Sequence, residues 1–453
     1  MRAITGAFRG DGLMARGLRS ASFLTLGFGL SQIIRLGSNL ILTRLLFPEA
    51  FGLMALITVV TVGLTMFSDV GTSPAIAQSK RGDDPDFLNT AWTIQVIRGF
   101  ALWSFTAALA IPAAKFYNSP ELALYLPLSG LTLILYGFEP TKVDTAQRHL
   151  IMGRLTLVDL LSQVIGVIIL IILAWIMKSV LALVIGGLFS TVARLILANW
   201  MLPGIRNRFR WEPEAAAELI RFGKWVFLST ACSFISNQGD RAILGRFMSL
   251  DALGLYNIGY FLASFPLLLG HSIVFRLLIP VYRDLAGRVD SGVHRKLRRM
   301  RFALTAGLVL MLGAMAMLGP WIVGVLYDDR YLMAAPIVTL LACSQFPAVI
   351  GLSYEQAALA AGDSRSYFAL AATRAVLQVS LLLGGTISYG VTGAIVGLGL
   401  AHLLSHPTLI WLARRHRVWD PLHDVVYFAI AAAVTAMALS LHADFFRALM
   451  ELR

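Results

Sequence analysis

The chain has 453 residues, of which 57% are apolar and only 14% charged, and its mean hydropathy is +0.74. Soluble domains carry about 25% charged residues, so a water-soluble globule is excluded. The net charge of +13 comes without the aromatic or fold signatures of a nucleic-acid binder, and nucleic acid is not expected as a partner.

The N-terminus is basic (Arg2, Arg9, Arg16, Arg19), and the apolar stretch behind it runs on without a small-residue cleavage site. It reads as a retained span over 20–43, not a signal peptide. Further spans are predicted at 52–78, 88–114, 121–141, 155–177 and 180–202, completing a six-helix lobe over 1–209. A second lobe over 210–416 takes 222–245, 254–282, 300–326, 332–360, 366–388 and 391–412, and 423–441 is a thirteenth span within 417–453. In lipid the backbone must satisfy its own polar groups, so spans are helices or a closed barrel. Unalternating runs such as SQVIGVIILIILAWIM (162–177) decide for helices. Cys232 and Cys343 both fall in apolar runs and read as buried thiols.

Lys and Arg in short loops set direction. With the N-terminus in the cytoplasm, most of the 38 Lys and Arg fall on the cytoplasmic side, in loops such as GIRNRFRW (204–211) and RDLAGRVDSGVHRKLRRMR (283–301). These sit beside anionic lipid headgroups, and the second has the composition of an amphipathic surface helix.

One segment is written twice. ILTRLLFPEAFGL (41–53) returns as ILGRFMSLDALGL (243–255), at an offset of 202 positions. The preceding helices keep that frame: Ser31, Arg35 and Ser38 correspond to Ser233, Asn237 and Asp240, a polar stripe at helical spacing in each half. FYNSPEL (116–122) similarly echoes LYDDRYL (326–332). Six spans separate the two turns, so both lie on one side of the membrane, which is the pattern of parallel repeats. Two lobes with inward polar faces describe a transporter; a packing duplication without a cavity is the other reading.

An ionised side chain at mid-bilayer costs about 2.5–3.5 kcal/mol on insertion scales. Six arginines lie in the predicted spans (Arg35, Arg98, Arg194, Arg241, Arg276, Arg374). The acids well inside are Asp69, Asp240 and Glu355, with Glu139 and Asp159 near span ends. The excess is basic, and the planar guanidinium suits phosphate, so an anionic cargo is expected. Arg35, Arg98, Arg276 and Arg374, with Asn39 and Asn237, are the candidate residues for binding that cargo. Asp69, Glu355 and Asp240 are the candidate ion-coupling residues. Asp240–Arg241 also reads as a structural ion pair, Arg194 as snorkelling or paired to loop acids, and His271 as a core histidine.

Other motifs fail. His402 and His406 lack the companion residues of a zinc site, DDPD (83–86) reads as a solvated acidic turn, and no Walker loop or catalytic triad is present. No cofactor is expected beyond Na⁺ or a proton as coupling ion, and the chain does not read as an enzyme.

SNLILTRLLFPEAFGLMAL, FSDVGTSPAIAQSK and NQGDRAILGRFMSLDALGLYNIGYFLA resemble the bacterial oligosaccharide flippases of polysaccharide biosynthesis. These O-antigen and exopolysaccharide translocases are related in fold to multidrug exporters of the MATE type. The resemblance extends over about 19–415. It implies an all-α, MATE-like membrane fold in the bacterial cytoplasmic (inner) membrane. It implies movement of undecaprenyl-pyrophosphate-linked oligosaccharide from the inner to the outer leaflet, by alternating access coupled to an ion gradient. A polysaccharide polymerase and a chain-length regulator are the implied protein partners. Relatives commonly end in a helix pair, whereas here one span is followed by HADFFRALMELR (442–453). The rival readings are a MATE-type multidrug or small-metabolite cation antiporter, and a membrane polymerase or ligase, which would need longer outer loops.

Overall fold

The computed structural model describes residues 13–68, 71–285 and 291–444. Side chains are described within these except at 13–21, 221–229, 231, 275–277, 279–281, 283–285, 291–294, 296 and 359. The described residues form helices and one 3-10 turn, with no strand among them.

Two compact units divide the chain: Met1–Leu46 with Leu56–Ala231, and Phe47–Ala55 with Cys232–Arg453. The boundary thus falls inside a helix near residue 231, and residues 417–453 belong with the second unit.

The first unit contains α1 (Leu13–Leu45), most of α2 (Pro48–Phe67), α3 (Thr72–Gln78) and α4 (Pro85–Phe116). It continues with α5 (Leu122–Gly137), α6 (Lys142–Arg148), α7 (Met152–Met177) and α8 (Val180–Met201). Local chemistry starts and stops these helices. Asp84 caps α4, its carboxylate accepting from Asp86 N at 3.1 Å, and Pro85 fills the first helical position, where no amide is needed. Between α7 and α8 the chain reverses at Lys178, in the left-handed region at φ 47°. Small residues let helices touch: a Cβ on Gly99 of α4 would lie 2.8 Å from the Leu133 carbonyl of α5, and one on Gly137 2.9 Å from the Gln95 carbonyl.

α9 (Pro213–Phe247) crosses from the first unit into the second. The second unit continues through α10 (Leu250–Ala263), α11 (Phe265–Leu285), α12 (Ser291–Leu326), α13 (Ala334–Ser344), α14 (Phe346–Ala360), α15 (Ser364–Arg415) and α16 (Pro421–Leu441). Residues 291–301, expected within a surface helix, are instead the first turns of α12 and run straight into its apolar stretch. α15 is one element by hydrogen bonding but has non-helical torsions at Tyr389 and Gly390. There it folds back on itself: a Cβ on Gly385 would lie 2.1 Å from the Gly393 carbonyl, and one on Gly393 2.0 Å from the Gly385 carbonyl. The separate spans predicted at 366–388 and 391–412 are the two arms of this hairpin. α16 packs on α12 and α14, and its Tyr427 and Ala431 join their apolar core.

The repeated turn has a structural meaning inside the second unit. A Cβ on Gly52 would lie 2.0 Å from the Leu250 carbonyl, and a Cβ on Gly254 1.9 Å from the Pro48 carbonyl. Pro48 and Leu250 are equivalent in the two copies, as are Gly52 and Gly254. The copies therefore cross each other reciprocally at the first turns of α2 and α10, and only glycine fits the crossing.

Large apolar side chains stand outward, with Trp200 82%, Leu310 74% and Leu26 72% exposed, a surface suited to lipid and costly in water. Seven helices among the described residues are long and apolar enough to cross a membrane, or up to ten if each bent pair is one span. The sequence predicts thirteen. The ten leave out α1, with Arg35 in its predicted span, and α9, with Lys224, Asp240 and Arg241 in its own, and the α15 hairpin counts as one helix of 52 residues. The chain is a multi-pass, all-α membrane protein.

Candidate functional site

In the first unit the α1 stripe is anchored to α7. Ser31 Oγ donates to Gln163 Oε1 at 2.7 Å, and Gln163 Nε2 donates back to the Ser31 carbonyl at 3.1 Å. Ser38 is buried, Asn39 is half-buried and Arg35 is exposed. Arg98 on α4 reaches the last turn of α2, donating from Nε to Ser68 Oγ at 3.0 Å and from Nη2 to the Thr65 carbonyl at 2.7 Å. A guanidinium there complements the negative end of the helix dipole. Asp69 lies outside the described residues. Arg194 on α8 bridges Glu139 and Asp159, the latter at 3.1 Å, so it pairs with acids.

The DDPD turn is not simply solvated. Asp83 takes Arg148 at 3.1 Å and His149 at 2.7 Å, Asp84 takes Arg81, and Asp86 takes Arg210 at 2.7 Å. The hydrogen bond from His149 holds the Asp83 carboxyl below the usual carboxylate range, and that from Arg81 does the same for Asp84. Beyond this hub, the backbone amides of Arg208, Arg210 and Glu212 are pinned to Asn89, Thr93 and Thr90 of α4 at 2.9, 3.1 and 3.1 Å.

In the second unit Asp240 turns into the protein. It is 3% exposed, accepts from Tyr256 Oη at 2.7 Å, and lies 3.7 Å from the Arg241 guanidinium. Arg241 in turn donates to Asn257 Oδ1 at 3.1 Å and stacks 4.2 Å from the Tyr260 ring centroid. Asn237 is exposed, its amide donating to the Ser233 carbonyl at 2.8 Å. The stripe predicted for α9 thus has two outward members and one that locks α9 to α10.

Arg374 and Glu355, which the sequence places in separate candidate roles, form one ion pair: Nη1 to Oε1 is 2.5 Å, with both side chains largely buried. His271 lies within electrostatic reach of both partners. The Arg276 side chain lies outside the described residues.

Sequence reasoning missed a second ionisable cluster at the same end of this unit. Asp424 in the first turn of α16 is buried with His423, His406 and Tyr354, and Arg301, read as a loop residue, is 2% exposed. The signal was present: HDVVYF (423–428) opens the last apolar run with two ionisable residues in its first turn.

The family model described as "Polysaccharide biosynthesis protein" matches residues 41–336. The chain belongs to this polysaccharide biosynthesis protein family. Among curated relatives, the teichuronic acid biosynthesis protein TuaB of Bacillus subtilis (strain 168) is 24% identical over 290 residues, covering 62% of this chain and 58% of TuaB. The succinoglycan biosynthesis transport protein ExoT of Rhizobium meliloti (strain 1021) is 22% identical over 384 residues, covering 83% and 75%. Among solved structures, an inward-facing multidrug resistance MATE family transporter gives a TM-score of 0.65 at 14% identity, covering 85% of this chain and 94% of that one. Lipid II flippase MurJ in an inward closed conformation gives 0.65 at 11% identity, covering 93% and 99%. At these identities the likeness establishes the fold, which is MATE-like. This member of the polysaccharide biosynthesis protein family shares its fold with that MATE family transporter and with MurJ.

Proposed function

We propose that the protein moves undecaprenyl-pyrophosphate-linked oligosaccharide repeat units from the inner to the outer leaflet of the bacterial cytoplasmic membrane, for exopolysaccharide or O-antigen assembly. The observation that carries this reading is the family match, which spans both copies of the repeated turn. A relative titled a succinoglycan biosynthesis transport protein and a fold neighbour titled a lipid II flippase support it. In this reading the N-terminus is cytoplasmic, two helical lobes alternate access, and an ion gradient biases the cycle. Arg35, Asn39, Arg98, Arg276 and Asn237 receive the pyrophosphate and sugars, and Arg374 joins them when released from Glu355. Asp69, Asp240 or Glu355 holds Na⁺ or a proton. Anionic lipids meet the exposed Arg206 and Arg208, and a polymerase with a chain-length regulator takes the product onward.

The test is complementation of a strain lacking its own flippase. The intact chain is expected to restore polymer and clear lipid-linked single units from the inner leaflet. Arg35→Ala at normal membrane abundance is expected to lower output, since one charge-assisted hydrogen bond is worth about 1.5–3 kcal/mol, about tenfold or more in affinity. No restoration by an abundant intact chain refutes the reading and favours the MATE-type cation antiporter, whose fold the chain shares.

A further inference from the structure

The second unit holds a buried carboxylate that none of these roles uses. Asp424 Oδ1 accepts from Tyr354 Oη at 2.9 Å and lies 3.1 Å from His423 Nδ1. Its Oδ2 accepts from Trp419 Nε1 at 2.9 Å and lies 3.2 Å from His406 Nε2. The partners come from α14, α15, α16 and the loop before α16. On the α12 side, His423 Nε2 lies 2.9 Å from Thr305 Oγ1, and Arg301 stacks 4.4 Å from the Tyr354 ring centroid. Arg301 itself donates to Tyr282 Oη of α11 at 2.9 Å and to the Val418 carbonyl at 2.6 Å.

Anchoring α16 does not call for this chemistry. A buried ion pair is often no more stabilising than apolar side chains of the same volume, and the neighbouring core is apolar. Ionisable groups inside a membrane protein mark ion and proton paths by default. Imidazole is the side chain whose ordinary charge change falls between about pH 5 and 8. Here each of two imidazoles turns one ring nitrogen to the same carboxylate.

Two further observations place the cluster on a path. Toward the loop end, Tyr354 Oη lies 3.3 Å from the Asp420 carbonyl, and the Asp420 carboxylate pairs at 2.6 Å with Arg298, which is half exposed. Arg414, over the Trp419 ring at 4.0 Å, is exposed beside it. Toward the interior, Gly351 stands where the two groups approach: a Cβ there would lie 2.5 Å from Leu409 Cδ2, 3.8 Å from Arg374 Nη2 and 3.9 Å from His406 Nδ1. His406 Nδ1 and Arg374 Nη2 thus both lie within 4 Å of one position beside Gly351, and His271, His402 and Tyr367 lie within electrostatic reach of the Arg374–Glu355 pair.

We propose that His406 and Asp424, with His423 behind them, form a proton-binding site linked past Gly351 to the Arg374–Glu355 pair. The proton binds an imidazole ring nitrogen, and no other bond is made or broken. A proton on His406 sets a second positive charge beside Arg374, so proton binding and the hold of Glu355 on Arg374 are thermodynamically coupled. This rests on the ion-coupled reading above and names its ion as a proton.

Trp419, bonded to the same carboxylate, reports the site. Fluorescence of the purified full chain is followed from pH 5 to 9, with Trp419→Phe as the subtraction blank. The expected result is a one-proton transition in this range that is lost in His406→Gln and unchanged in His149→Gln, a loop histidine. Asp424→Asn keeps the side-chain shape but removes the counter-charge, and is expected to move the midpoint down by about 1–3 pH units. Melting curves for each variant separate loss of the transition from loss of fold. A flat wild-type curve, a transition that survives His406→Gln in a folded chain, or an unmoved midpoint in Asp424→Asn overturns the site. Polymer restoration is scored separately. A chain that titrates without restoring polymer keeps this site and loses the lipid-linked reading. One that restores polymer with flat fluorescence loses this site alone.

Discussion

Replacing Gly52 by alanine tests the meaning of the repeat. The new Cβ would lie 2.0 Å from the Leu250 carbonyl oxygen and 2.8 Å from its carbon, against an ordinary contact of about 3.5 Å or more. The obstacle is backbone at the start of α10, so no rotamer change relieves it and the helices must separate by more than an ångström. Overpacking of this kind costs about 1–3 kcal/mol, and a rigid obstacle puts Gly52→Ala at the upper end. Alanine recovers up to about 1 kcal/mol of helix propensity, leaving a net loss of about 2 kcal/mol. Gly254→Ala meets the Pro48 carbonyl at 1.9 Å and should lose a similar amount. The two changes wedge one crossing, so the double variant should lose less than their sum. Gly307, in the same unit and with nothing within 4 Å of its Cβ position, is the control, expected to be neutral or slightly stabilised. Denaturant titration of the purified chain measures all four. A Gly52→Ala protein as stable as wild type, or strict additivity of the pair, refutes the reciprocal crossing.

Three further outcomes follow from the pairs. Arg374→Met or Glu355→Met alone leaves a buried charge and should cost about 3–5 kcal/mol, whereas the double change should recover most of it in the same titration. Tyr256→Phe removes the 2.7 Å bond to Asp240 and should cost about 1.5–3 kcal/mol; an unchanged stability would show the bond is not made. The carboxyls of Asp83, Asp84 and Asp363 are depressed in the folded chain, the first by His149, the second by Arg81 and the third by Ser366. Their contribution is therefore present above the unfolded value of about 3.9 and lost as pH falls through the folded values. Amide protection over 81–86 and 363–366, taken relative to the intrinsic exchange rate at each pH, should fall only below about pH 4; a fall already between about pH 5 and 6 would contradict it.

The helices were legible because apolar runs of bilayer length alternate with polar breaks, and every predicted span overlies a helix, a bent helix pair or an arm of the α15 hairpin. The bends were not read. Three predicted single spans, 121–141, 254–282 and 332–360, contain breaks of 58°, 43° and 41°. A proline stands in each break or at the start of the helix after it: Pro140, Pro266 and Pro347. Proline alone does not decide, since Pro112, Pro127 and Pro320 lie inside unbroken helices and Pro407 inside the second arm of the α15 hairpin. At the breaks it falls just before or in the first turn of the next helix, where no amide donor is required. The site was legible only as an inventory. Residue type and depth are one-dimensional facts, whereas Arg374 meeting Glu355 depends on how α14 and the first arm of α15 align. Asp424 was passed over because it sits at the edge of its apolar run, where a polar residue looks like a boundary.

That distinction changes the argument about cargo. An excess of arginine over acid along the spans suggested an interior set for anions. Pair by pair, Arg194 goes to Glu139 and Asp159, Arg241 to Asp240, and Arg374 to Glu355. A guanidinium held by a carboxylate offers a phosphate no net charge until the pair opens, and opening it strands the acid at a cost of several kcal/mol. In the proposed function, Arg374 becomes available for substrate only in a step that also neutralises Glu355, by a proton or another cation. In that function, substitutions at Arg35, Arg98 and Arg276 should act on substrate binding. Substitutions at Arg374 should act on the dependence of transport on the ion gradient. If Arg374→Gln weakened binding of the lipid-linked head in the absence of any gradient as strongly as Arg35→Gln does, the pair would not be the coupling element, and Arg374 would belong with the phosphate ligands after all.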